Sequence, residues 1–167
     1  MDDGQLLVVE YDPEWPLEFG RIRARALAAV GGLAVAVEHV GSTAVVGMPA
    51  KPIVDADVVV GDERDVARAV DALATVGYRR DGRDVHVAGL TALRWPRDER
   101  RHHLYVVVEE SPVQRDRIRF RELLRGSRAA AAEYARAKRE LAARHADDWA
   151  AYAAAKDAVV ERLLSGS

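Results

Sequence analysis

The segment from Glu38 to Val60 constrains the fold more than any other part of the chain, because it carries two carboxylates within a run of β-branched residues. Asp55 and Asp57 alternate with apolar residues in the order Val-Asp-Ala-Asp-Val. In a strand, residues two apart point to the same face, roughly 6.5 to 7 Å from each other, so both carboxylates could face one divalent cation. Buried charges are costly unless they are paired or bind a metal. We therefore expect Asp55 and Asp57 to bind a metal ion, with pairing to arginine as the alternative.

A glycine-serine turn precedes this strand and predicts a phosphate site. Gly41 and Ser42 follow an apolar run, and twelve residues separate them from Asp55. A glycine lets backbone N–H groups approach phosphate oxygens, and a serine hydroxyl adds a donor. Phosphoryl and nucleotidyl transfer chiefly require metal ions that neutralise the phosphates and align the reacting oxygens. We expect Gly41, Ser42 and Thr43 to contact phosphates, although the same residues could form only a tight turn.

Composition limits the class of protein. The chain has 167 residues, 49% of them apolar, which predicts one domain over residues 1–167. A net charge of −2 gives no general reason to expect nucleic acid or an acidic membrane as a partner. The lack of cysteine excludes thiolate catalysis and zinc–thiolate sites. Neither a secretory signal nor an apolar run of about 18 residues is found, so we expect a cytoplasmic protein.

Hydrophobic periodicity predicts an α+β fold, in which a mixed β-sheet is flanked by helices and the C-terminal third is helical. We predict helices at five places: 14–30, 63–76, 113–125, 127–145 and 147–164. We predict strands at four places: 33–40, 53–60, 85–95 and 103–109. An extended arm is expected over 6–11 and a charged hairpin loop over 96–101.

Motifs in order along nearly the whole chain resemble those of the GrpB-like family, a branch of the nucleotidyltransferase superfamily with the fold of DNA polymerase β. The matching pieces are Tyr11-Asp12-Pro13-Glu14-Trp15, Glu38-His39-Val40-Gly41-Ser42-Thr43, Ala50-Lys51-Pro52-Ile53-Val54-Asp55, Gly77-Tyr78, His103-Leu104-Tyr105-Val106, Phe120-Arg121-Glu122-Leu123-Leu124-Arg125, and Tyr134, Lys138 and Lys156. The resemblance implies a minimal nucleotidyltransferase fold, built from a Gly-Ser turn, a short helix and an Asp-x-Asp strand.

Other polar residues within these motifs are candidates for ligand contacts. Lys51 lies in the loop beside the predicted site, where its ammonium could meet a phosphate or only solvent. We expect His39 to hold the turn by hydrogen bonds rather than to take part in the chemistry. Arg121, Arg125 and Lys138 could bind the anionic tail of a nucleotide, or be solvated residues of helix faces.

Active members of the superfamily usually carry a third carboxylate on a neighbouring strand. The candidates that face inward here are His103, Tyr105 and Glu109, which share one face of the predicted strand. If Glu109 is too distant, His103 could be the general base, since its pKa suits proton transfer near neutrality. His103 and Tyr105 could equally be packing residues. The remaining histidines are expected at the surface: His86, His102 and His145.

These observations predict a metal-dependent nucleotidyltransferase. It would use Mg²⁺ or Mn²⁺ and move an NMP group from a nucleoside triphosphate to a small-molecule acceptor, with loss of pyrophosphate. One alternative is a non-catalytic module of the same fold that binds a nucleotide, a coenzyme-like ligand or a partner enzyme. Another is hydrolysis of a phosphorylated compound. The identities of the nucleotide and the acceptor and the oligomeric state stay open, because one fold supports many chemistries.

Overall fold

The protein forms a mixed sheet with helices on both faces in a computed structural model, which describes residues 7–80, 89–95 and 102–166. The helices in these ranges are α1 (Trp15–Val30), α2 (Glu63–Thr75), α3 (Pro112–Gly126), α4 (Arg128–Arg144) and α5 (Trp149–Ser165). The strands are β1 (Ala34–Val40), β2 (Val54–Val60), β3 (Arg79–Arg80), β4 (Leu90–Arg94) and β5 (His102–Val108). The predicted α+β class is confirmed, and the bounds of the five helices lie within about two residues of the prediction.

Two predicted features fall partly or wholly outside the described ranges. The structure describes the strand expected over 85–95 only as β4, from residue 90 to 94, and residues 81–88 lie outside the description together with His86. The hairpin loop expected over 96–101 also lies outside it. The expected arm over 6–11 is described from residue 7, and its Val9 forms an isolated antiparallel bridge with Ala50.

The sheet has the strand order β1-β2-β5-β4-β3. Strands β2 and β5 run parallel, whereas the other neighbours are antiparallel. The register of the parallel pair sets Asp55 beside His103 and Asp57 beside Tyr105. Because paired residues in a ladder point to the same face, these four side chains share one side of the sheet.

The opposite side of the sheet holds the main core. Ala56, Val58 and Val60 of β2 are fully buried there with Leu104 and Val106 of β5, beneath α1 and α2. Both helices are amphipathic, and each places a short apolar stripe on the sheet. The stripe of α1 is Trp15, Ile22, Ala26 and Val30, and that of α2 is Ala69, Val70 and Leu73.

A second apolar cluster joins the C-terminal helices to the loop between β1 and β2. Val45 and Met48 of this loop pack with Leu124 of α3 and Tyr134 of α4. The helical third is thereby fixed over the Gly-Ser turn. Among the helices described, none combines the length and apolar character that crossing a membrane requires.

His102 corrects one expectation from the sequence. It is buried rather than at the surface, and its Nε2 lies 2.9 Å from the hydroxyl of Tyr78. Its ring also stacks on Trp95 at a centroid distance of 5.9 Å. Alternation explains this position, since the residue before His103 must point to the opposite side of the sheet, into the core.

Candidate functional site

A cleft of about 660 Å³ opens beside the N-terminal ends of β2 and β5, between the Gly-Ser turn and the C-terminal helices. The sheet and the loop between β1 and β2, which includes the turn, contribute Gly41, Ser42, Thr43, Lys51, Asp55, His103 and Tyr105 to its lining. Helices α3, α4 and α5 contribute Asp116, Arg117, Phe120, Tyr134, Lys138, Tyr152 and Lys156. The structure thus brings most of the predicted site residues together in one place.

Asp55 and His103 form a hydrogen-bonded pair in this cleft. The Nδ1 atom of His103 lies 3.0 Å from Oδ1 of Asp55. Burial opposes ionisation of Asp55, but this hydrogen bond and the charges of His103, Arg117 and Lys156 outweigh it and lower its pKa. A carboxylate bound to one imidazole nitrogen orients the ring and stabilises its charged form, an arrangement that suits a general base.

Asp57 is in a different situation, although it lies only two residues away. Its side chain is fully buried, and Arg117 of α3 donates to it twice, from Nε to Oδ2 and from Nη2 to Oδ1, each at 2.8 Å. Burial raises the pKa of Asp57 above its ordinary value, although the guanidinium of Arg117 acts in the opposite direction. For Asp57 the structure therefore shows pairing with an arginine, which the sequence predicted as the alternative to metal binding.

The two aspartates therefore do not fit a shared metal site as they are arranged. Both oxygens of Asp57 already accept hydrogen bonds from Arg117. Within the described ranges, no group of three or more His, Cys, Asp or Glu side chains is placed to hold a metal ion. Glu109 lies exposed beyond the C-terminal end of β5, while Asp55 lies near the N-terminal end of β2. Binding of Mg²⁺ or Mn²⁺ by this pair stays a prediction, and it would require Arg117 to release Asp57.

The Gly-Ser turn is held close against Asp55. Gly41 has a φ of +71°, and a Cβ atom there would lie 2.6 Å from Oδ2 of Asp55. His39 has the supporting role expected from the sequence, since its Nε2 lies 2.9 Å from Oγ1 of Thr43 and its ring stacks on Phe19. Burial is the main cause that lowers the pKa of His39 to about 4, so the ring is neutral at pH 7.

Arg121 and Arg125 lie outside the cleft lining and hold the protein backbone instead. Arg121 donates to Glu38 at 2.7 Å and to the carbonyl of His39 at 2.8 Å. Arg125 donates to the carbonyl of Ala44 at 3.1 and 2.8 Å. These contacts hold both guanidinium groups at the turn, and binding of a nucleotide's tail by Arg121 and Arg125 stays a prediction.

Lys138 is neither solvated nor at the surface. It is 3% exposed, and its ammonium donates to the hydroxyl of Ser42 at 2.7 Å and to the carbonyl of Pro49. Burial is the largest cause that lowers its pKa to about 7, followed by the charges of Lys156 and Arg139. The ring of Tyr134 lies 4.7 Å from the same nitrogen.

Sequence reasoning did not select Lys156, Arg117, Tyr134 or Tyr152 for the site, yet all four line the cleft. A signal for the lysine was present, because Lys51, Lys138 and Lys156 are the only lysines in the chain. The structure brings these three into the same cleft from a loop, from α4 and from α5. Lys51 lies 4.6 Å from the ring centroid of Tyr152, and Lys156 pairs with Asp157 at 3.0 Å.

The charges of the cleft are arranged with cations inside and most of the acids at the rim. Asp116 and Asp157 have side chains that are 58% and 67% exposed, whereas Lys156 is 32% exposed. The lining also includes apolar side chains, among them Val113, Phe120, Val160 and Leu164. Such a cleft matches a ligand with an anionic end and an apolar part, because small-molecule sites combine apolar walls with a few polar groups.

Comparison with known proteins agrees with this architecture. The family model described as GrpB protein matches residues 5–165. A UPF0157 protein of Halalkalibacterium halodurans is 34% identical over 163 residues, which cover 97% of this chain and 82% of that protein. The crystal structure of the conserved protein GrpB from Enterococcus faecalis aligns with a TM-score of 0.81 at 28% identity and covers 96% of this chain and 98% of that one.

A more distant structure extends the likeness to the superfamily fold. A structure of the GLD-2/RNP-8 complex aligns with a TM-score of 0.54 at 16% identity, over 95% of this chain and 62% of that chain. At this identity the likeness shows the fold alone, which is nucleotidyltransferase-like. The resemblance drawn from the motifs is confirmed: the chain belongs to the GrpB family.

Proposed function

We propose that this protein binds a phosphorylated small molecule of the nucleotide or coenzyme class in the cleft. One observation carries the proposal: Lys51, Lys138 and Lys156 lie on three separate segments, and all of them line the same cleft. Lysine ammonium groups are common partners of phosphate, and they shield its charge as compact point charges. Three lysines placed at random in the chain would not be expected to line one cleft.

The contacts within the cleft support a division of roles. The phosphate would lie near Lys51, Lys156 and the hydroxyl of Ser42, which Lys138 orients. The Asp55–His103 pair lines the same cavity and would bind a hydroxyl or amine of the ligand. The apolar body of the ligand would pack on Val113, Phe120, Val160 and Leu164.

Nucleotidyl transfer from a nucleoside triphosphate to a small acceptor is the second candidate function. The nucleotidyltransferase-like fold and the Asp55–His103 pair favour it, because an oriented imidazole can take a proton from an attacking hydroxyl. The pairing of Asp57 with Arg117 counts against it, since one carboxylate of the expected metal pair is already bound.

Calorimetric titration tests the binding proposal. ATP, CTP and coenzyme A would be titrated into the wild-type protein, and we expect at least one to bind with a dissociation constant of about 100 μM or tighter. Lys156→Gln should weaken that binding by about tenfold or more, because it removes a cleft cation. Arg136→Gln is the matched control, since Arg136 is 71% exposed on α4 and its loss should leave affinity unchanged. If ATP, CTP and coenzyme A all fail to bind, the proposal is contradicted.

A product assay separates the two candidate functions. The protein would be incubated with ATP or CTP and a pool of small metabolites, and release of pyrophosphate and orthophosphate would be followed. Binding without turnover supports the binding module. Pyrophosphate release that disappears in His103→Gln supports nucleotidyl transfer. Orthophosphate release from a phosphorylated compound without a nucleotide would instead indicate hydrolysis.

A further inference from the structure

We infer that Arg117 occupies the cation position on Asp57, so that this cleft binds its phosphorylated ligand without a divalent metal ion. The part about the ligand rests on the function proposed above, whereas the part about the metal stands on the geometry of Arg117 and Asp57 alone.

The guanidinium of Arg117 engages both carboxylate oxygens of Asp57. Its two nitrogens reach the two carboxylate oxygens at 2.8 Å each, and its carbon lies 4.4 Å from the ring centroid of Tyr105. An arginine fork matches a carboxylate in this bidentate way and stays charged in proteins. Burial alone would lower the pKa of Arg117, but the charge and hydrogen bonds of Asp57 raise it above its ordinary value.

The two strands beside β2 put one further acid next to this position. Strand β5 places His103 opposite Asp55 and Tyr105 opposite Asp57, whereas β1 places Glu38 opposite Asp57. Glu38 is itself paired, since Arg121 donates to it at 2.7 Å. A Mg²⁺ ion requires about six oxygen ligands in octahedral geometry and is usually bound through one or two carboxylates. Asp55 is the one carboxylate of the pair that still lines the cleft, and it is already bound to His103.

Fixed side-chain cations can supply the charge that a metal would otherwise bring. The charge of Arg117 is balanced by Asp57, and Lys138, with a pKa of about 7, is only partly charged at neutral pH. The cations that line the cleft and belong to the protein itself are therefore chiefly Lys51 and Lys156. A phosphate group that arrives without a bound Mg²⁺ carries more negative charge and is attracted more strongly to these cations. The ligand class that fits is therefore a metal-free phosphate ester, in contrast to a Mg²⁺-bound triphosphate.

Electron paramagnetic resonance measures the binding of Mn²⁺ directly. It tests the inference about the metal without any organic ligand. We expect the wild-type protein to leave the signal of free Mn²⁺ unchanged up to a concentration of about 1 mM. Arg117→Met should gain a Mn²⁺ site, because it uncovers Asp57 beside Asp55, and the added substitution Asp57→Asn should remove that site again. A wild-type Mn²⁺ site that disappears in Asp57→Asn would overturn the inference. A folded Arg117→Met protein without any Mn²⁺ site would overturn it as well.

Titration of ATP, CTP and coenzyme A tests the inference about the ligand and does not depend on a variant that folds. The affinity of the wild-type protein in EDTA should equal or exceed the affinity in excess Mg²⁺. An increase of about tenfold or more on adding Mg²⁺ would overturn the inference, even if Arg117→Met is too unstable to study. If no phosphorylated compound binds while Mn²⁺ behaves as expected, the proposed function fails and the assignment of Arg117 stands.

Discussion

The Lys138 ammonium donates a 2.7 Å hydrogen bond to the hydroxyl of Ser42, from a helix that lies 96 positions further along the chain. The same nitrogen donates to the carbonyl of Pro49, so one side chain of α4 holds two points of the loop between β1 and β2. The C-terminal helices are thus part of the site and do not merely cover it.

The burial of Lys138 predicts an unusual dependence of stability on pH. Its pKa is about 7 in the folded protein and about 10.5 when unfolded, so the unfolded chain binds more protons between these values. The free energy of unfolding should therefore rise with pH from about 7 toward 10, by at most about 1.4 kcal/mol per pH unit from this group. Lys138→Met should lack this rise when urea unfolding is followed at several pH values.

Arg136 provides the control for this prediction. Its side chain is 71% exposed on α4, and its charge is not among the causes that lower the pKa of Lys138. Arg136→Gln should therefore keep the wild-type slope. If Lys138→Met and the wild-type protein show the same pH profile, the lowered pKa is wrong.

The pair of Asp57 and Arg117 should be strongly coupled in stability. Arg117→Met leaves the fully buried carboxylate of Asp57 without its partner, which costs about 3 to 5 kcal/mol of unfolding free energy. The double variant with Asp57→Asn should lose less than the sum of the two single variants, since no unpaired charge remains. Urea unfolding of all four proteins gives the coupling energy. Additive losses would mean that the ion pair contributes nothing specific.

Gly41 should tolerate no side chain, whereas Gly47 should tolerate one better. Both have a positive φ, +71° and +78°, so alanine at either position carries a backbone cost of about 1 kcal/mol. At Gly41 the new Cβ would also meet Oδ2 of Asp55 at 2.6 Å, which adds about 1 to 3 kcal/mol of overpacking. At Gly47 nothing lies within 4 Å. Equal losses of unfolding free energy in Gly41→Ala and Gly47→Ala would refute the close approach of Asp55.

Arg125 should matter for stability and not for ligand binding. Arg125→Ala removes two hydrogen bonds to the carbonyl of Ala44, a buried residue, and should cost about 1 to 3 kcal/mol of unfolding free energy. Arg119→Ala on the exposed side of the same helix is the control and should cost little. Calorimetry with a bound phosphorylated ligand should give the same affinity for Arg125→Ala and the wild-type protein. Weaker binding at unchanged stability would restore the role of Arg125 as a nucleotide contact.

Much of the architecture follows from patterns that act over a few residues. The helix α1 was predicted from the spacing of Ile22, Ala26 and Val30, and these residues are buried in the structure. The alternation in β2 placed Asp55 and Asp57 on one face, and the register with β5 confirms it. For His102, alternation with His103 indicates the core side of the sheet, against the expected surface position, and only the fold supplies its partners there, Tyr78 and Trp95.

Periodicity and short motifs are local properties, and they suffice to predict the order of helices and strands, the family, and the candidates Gly41, Ser42, Asp55 and His103. The different partners of the two aspartates depend on contacts between distant segments, since Arg117 comes from α3 and His103 from β5. The convergence of the three lysines has the same origin. Their positions are far apart in the chain, and only the packing of α4 and α5 over the Gly-Ser turn brings their charges into one cleft.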